Sequence, residues 1–175
     1  MVAVVYLSPD VRPTMSLGTA MVLIVVAGMS SIAARVSGPT PEDARRHRFF
    51  LLSAAGAAFL GLDDLLGIHE SIGLTLHHWV DAAPRPERVG HVVLGLYAVV
   101  ACVAFWSFRD LLRASPRAQV LFAVAAGSSV AGAALDTAVL DAPHVVTHPL
   151  QITAAIGLLL GYWTLIGTLV IEPRR

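Results

Sequence analysis

Lysine is absent from the 175 residues, cysteine occurs once, and only 14% of positions are charged. Each shortage excludes a class of protein. A single cysteine, Cys102, rules out an internal disulfide, a zinc knuckle or a thiol redox pair, and its place within an apolar run predicts a packing role. Twelve basic residues, all arginine, balance twelve acids, so there is no excess positive charge for nucleic acid. So small a charged fraction beside 56% hydrophobic residues is incompatible with an ordinary soluble domain of this length. Mean hydropathy is +0.72. The composition is that of an integral membrane protein whose principal surroundings are the lipid bilayer.

No internal repeat, low-complexity tract or long linker divides the chain, and a single transmembrane domain over residues 1–175 is expected. Five stretches, about 16–34, 49–68, 90–108, 119–140 and 150–171, are apolar and long enough to cross a hydrocarbon core. At 1.5 Å per residue each covers the required thickness of about 30 Å. The predicted fold is an all-α bundle of five transmembrane helices. Arginines follow the first stretch more than they precede it, which predicts a retained span in place of a cleaved signal peptide. Thr40-Pro41-Glu42-Asp43 reads as an N-cap, a proline in the first turn and acids beside the positive end of the helix dipole. None of the ten prolines falls inside a proposed span, as expected where an interior proline removes a hydrogen bond and clashes. The patch Ala125-Ala126-Gly127-Ser128-Ser129 suits close helix packing. Residues 141–149 read as a short polar loop.

Arginine placement predicts orientation. With the amino terminus outside, nine arginines (Arg35, Arg45, Arg46, Arg48, Arg109, Arg113, Arg117, Arg174 and Arg175) lie inside and three (Arg12, Arg85 and Arg88) outside. This is the bias of the positive-inside rule, and it predicts a multi-pass protein of the cell membrane, such as a bacterial inner membrane, with its carboxyl terminus inside.

The second span ends in Leu62-Asp63-Asp64-Leu65-Leu66-Gly67-Ile68-His69-Glu70. An ionised aspartate at mid-span costs roughly 2.5 to 3.5 kcal/mol, so a pair of them in an apolar helix marks a site that faces inward and finds partners. On a helix continued toward His77 and His78, Asp63, Glu70 and His77 share a face with Gly56 and Gly67. Asp64 lies a quarter turn round, and His69 points away unless Gly67 loosens the helix. Tyr97 and Asp136 come to similar depth, Tyr97 as a hydrogen-bond donor to a buried carboxylate or as a packing residue.

Carboxylate oxygens and imidazole nitrogens suit zinc, manganese or iron and not Cu(I). The candidate metal ligands are Asp63, Glu70, His77, His78, His144 and His148, and Asp64 and Asp136 are candidate general bases on a metal-bound water. His144 and His148 are four apart, one helix face if that loop is helical. Histidines at this end are also compatible with a haem or pigment. On the orientation above, the cluster lies toward the extracytoplasmic side.

The stretch Leu-Asp-Asp-Leu-x-x-x-His-Glu, residues 62–70, resembles a signature of small bacterial polytopic membrane proteins of no established activity, and implies a shared helix. In residue kind alone the chain has a looser likeness to the alkaline ceramidase and adiponectin-receptor-like membrane hydrolases, which hold zinc inside a seven-helix bundle. It departs from them in span number and in its richer carboxylate content. Three functions follow from the sequence: a metal-dependent enzyme acting on a lipidic substrate, an accessory subunit meeting a membrane-protein partner within the bilayer, or an ion or proton carrier. The last lacks ionisable residues in the inner halves of the spans.

Overall fold

A computed structural model describes residues 13–38, 40–79, 86–138 and 144–171. These residues form helices α1 (Pro13–Val36), α2 (Pro41–Leu66), α3 (Ile68–Trp79), α4 (Pro86–Ser107), α5 (Arg109–Arg113), α6 (Pro116–Ala138) and α7 (His144–Ile166), and α7 runs on into a π-helical turn, Gly167–Ile171. Among the described residues there is no strand.

Prolines open α1, α2, α4 and α6, where the missing N–H is one the first turn leaves unpaired anyway. At the head of α2, Thr40 forms the expected cap. Its hydroxyl accepts from the Asp43 N–H at 3.1 Å, and the Asp43 carboxylate accepts from the Thr40 N–H at 3.2 Å, a reciprocal arrangement that satisfies two otherwise orphaned donors.

Two boundaries differ from the sequence expectation. The helix of the second span does not continue through Glu70; Gly67 ends α2 in the left-handed conformation, φ 59°, and α3 starts at the next residue. The region read as a loop up to Pro149 is helical from His144, with Pro149 inside α7. Near the start of a helix this proline forgoes a single backbone bond, and its own carbonyl accepts from the Thr153 hydroxyl at 2.7 Å.

Three helices among the described residues are long and apolar enough to cross a membrane, Leu17–Val36, Pro41–Leu66 and Pro149–Ile171, and α4 holds a shorter apolar stretch, Gly95–Ser107. Hydroxyls along the helices bond to the carbonyl one turn back, as in Ser31 to Ala27, Ser107 to Val103 and Ser129 to Ala125. Such bonds leave no polar atom for an apolar medium to solvate.

Helix pairs α1/α2, α6/α7, α3/α4 and α1/α7 pack together. The core lies toward one end, around Phe49, Phe50, Leu111, Tyr162, Leu165 and Leu169. There Phe49 meets Phe105 and Phe108 edge to face, and Phe122 is wedged between Phe105 and Tyr162 with centroids 5.2 and 5.1 Å away. Polar ties close the same end: His47 Nδ1 donates to the Ala34 carbonyl at 2.8 Å, and Arg46 donates to the Leu169 carbonyl at 3.2 Å. Both satisfy carbonyls in last helical turns, which have no intrahelical donor. Cys102, expected to pack, is exposed on α4.

Candidate functional site

Asp63 is the one buried carboxylate among the described residues, 2% exposed, in the last turn of α2. Its partners come from two other helices. Gly67 turns the chain just after α2, and the Gly67 N–H bonds back to the Asp63 carbonyl. That turn folds the start of α3 over the Asp63 side chain. Oδ1 accepts the His69 backbone N–H at 3.1 Å, and Oδ2 lies 2.6 Å from His69 Nδ1. One carboxylate therefore caps the α3 amino terminus and grips the imidazole of the same residue.

From α4, the Tyr97 hydroxyl donates to Asp63 Oδ1 across 3.4 Å. The Tyr97 ring is braced edge to face by Phe59 of α2, 5.3 Å between centroids. Asp64 is half-buried one residue further along.

The arrangement specifies a tautomer. An ionised carboxylate only accepts, so opposite one the 2.6 Å contact takes a hydrogen from His69 Nδ1, and in a neutral ring that tautomer leaves the lone pair on Nε2. The His69 side chain keeps 16% of its surface accessible. A carboxylate that orients a histidine in this way fixes the ring, which is the arrangement found behind metal-bound imidazoles and behind imidazole general bases.

His69 is the residue that a regular helix hides. Without the left-handed Gly67 it points away from Asp63; with it, the two side chains meet. Of the other sequence candidates, the backbones of Glu70, His77 and His78 lie in α3, Asp136 in α6, and His144 and His148 in α7, but their side chains lie outside the described residues. Among the described residues, no group of three histidine, cysteine or acidic side chains comes together.

A family model described as a domain of unknown function, DUF8692, matches residues 4–165. No curated protein and no solved structure matches the chain.

Proposed function

The chain belongs to the DUF8692 family, and we propose that it is a five-span membrane enzyme whose reactive centre is His69, oriented by Asp63, at the extracytoplasmic end of the bundle. The observation that carries this reading is the 2.6 Å Asp63–His69 contact, closed by the turn at Gly67 at the end of the apolar length of α2. A buried carboxylate in such a place is too costly to keep as a spacer. Three-way anchoring by Tyr97, the His69 amide and the imidazole points to an atom held ready, and that atom is His69 Nε2.

In this reading Nε2 binds a divalent metal such as zinc, manganese or iron, and Asp63 acts behind it as the orienting carboxylate. Glu70, His77, His78, His144 and His148 are, in this reading, the pool from which further ligands come. If a metal were held there it would supply Lewis-acid activation of water, and Asp64, or Asp136 on α6, would be the carboxylate available as general base. The substrate is lipidic in this reading, because the stretch of α2 that carries Asp63 exposes Leu62, Leu65 and Leu66, an apolar surface beside the site.

Metal content of protein purified in mild detergent tests the proposal. After incubation with zinc, manganese or iron and removal of excess, wild type retains close to one equivalent of one of them and His69→Ala retains none. Asp63→Asn, which alters the tautomer preference and leaves the ligand in place, weakens retention by about 10- to 100-fold. Equal metal content in wild type and His69→Ala overturns the reading.

A further inference from the structure

The end of the bundle remote from Asp63 carries a cleft of about 450 Å³ lined by Arg45, Trp106, Ser107, Arg109, Asp110 and Arg113. Three guanidiniums there face a single carboxylate. Arg45 is committed: it donates to Asp110 Oδ1 and to the Ser107 carbonyl, each at 2.8 Å, and lies over the Phe108 ring. Arg109 and Arg113 are not. Among the described residues neither has a carboxylate within ion-pair distance, and their four-residue spacing sets them on one helical face. Arg109 is held over the Trp106 ring, 5.1 Å from its centroid, an attraction that limits its swing. A second hollow of about 260 Å³ adjoins the same Trp106, Arg109 and Arg113.

Above the cleft, α4 presents Leu96, Val99, Val103 and Trp106 at helical spacing, between 58% and 71% exposed. An apolar stripe that runs down a helix and ends at two uncompensated guanidiniums matches one kind of molecule, with a chain at one end and an anion at the other. We propose that this cleft binds the phosphate of an anionic phospholipid between Arg109 and Arg113, with an acyl chain along the α4 stripe. The planar forks of two arginines suit phosphate oxygens, and the residual positive charge selects anionic over zwitterionic headgroups. This site is separate from Asp63 and His69, so Asp63→Asn leaves it intact.

Delipidated protein in detergent is titrated with phosphatidylglycerol or phosphatidylcholine, and the bound lipid is counted by native mass spectrometry. Wild type prefers phosphatidylglycerol by about tenfold, in keeping with the attraction of basic residues for anionic headgroups. Arg109→Gln with Arg113→Gln abolishes the preference. Arg48→Gln with Arg117→Gln removes the same charge from exposed positions at the same end outside the cleft, and preserves it. Equal binding of the two lipids overturns the proposal, and so does an equal loss in both double variants, which marks general surface charge. Displacement of phosphatidylglycerol by millimolar inorganic phosphate also overturns it, since the site is then for a small anion. If the Arg109/Arg113 variant does not fold, Trp106→Ala, which removes the support of Arg109, carries the same expected loss.

Discussion

Gly67 decides what Asp63 can touch. At φ 59° any residue with a Cβ is strained, by roughly 1 to 2 kcal/mol, and asparagine by less. Gly67→Ala is therefore expected to lower stability by that amount and to free His69 from Asp63. The second effect is visible as loss of the low-field Nδ1–H proton resonance of His69; a variant that keeps this resonance while losing stability shows that the turn does not hold the pair. Asp63 itself was legible in the sequence, because a carboxylate in an apolar helix announces its own cost. His69 was legible only as a condition, since a continuous helix sends it to the wrong side and only a loosening at Gly67 brings it round. The available signal was the glycine: a flexible residue four after an aspartate and two before a histidine is where a helix can break and fold a new amino terminus back onto the carboxylate. Glu70 and His77 were placed beside Asp63 on the premise of that unbroken helix, and the break at Gly67 removes the shared face.

At the scale of elements, α6 and α7 meet through glycine. A Cβ on Gly157 would stand 3.1 Å from the Leu121 carbonyl, and one on Gly161 would stand 2.7 Å from the Phe122 ring. Phe122 has little room to yield, because Phe105 and Tyr162 flank it. Gly161→Ala is expected to destabilise the bundle by about 1 to 3 kcal/mol through overpacking, measured by thermal unfolding in detergent. Gly56→Ala, whose Cβ meets nothing within 4 Å, is the matched control and is expected to be neutral or slightly stabilising through helix propensity; equal losses in the two variants exclude the packing account. Close packing was legible from the small patch at Ala125, which does face Gly157, and the helix starts were legible from their prolines. Pro149 misled because a proline near a helix start and one just before it look the same in sequence. The difference lies in whether the backbone ahead of it finds acceptors, which local pattern does not encode.

For the whole molecule, the described surface is covered with large apolar side chains, from Met21, Ile24 and Ile32 on α1 to Val103 and Trp106 on α4 and Trp163 on α7. In water such a surface would drive aggregation, whereas in lipid it costs nothing, and the small residues at the helix contacts supply the cohesion that apolar burial cannot. Charge then fixes direction. Arg45, Arg46, Arg48, Arg109, Arg113 and Arg117 gather at the end opposite Asp63, and in the proposed orientation that end is the cytoplasmic one, by the positive-inside rule. Single cysteines read this out. In a Cys102→Ser background, Thr75→Cys on the exposed side of α3 is expected to react with an impermeant maleimide in intact cells, and Arg117→Cys only after the membrane is opened. The reverse pattern inverts the orientation and moves the Asp63–His69 site to the cytoplasmic side. Labelling of both positions from one side has a different meaning: α4 lies between them, so it does not cross the membrane and the five-span arrangement fails. The unsubstituted chain supplies a separate check through its own Cys102, exposed on the apolar length of α4, because a thiol surrounded by lipid stays unlabelled in either state as long as α4 spans.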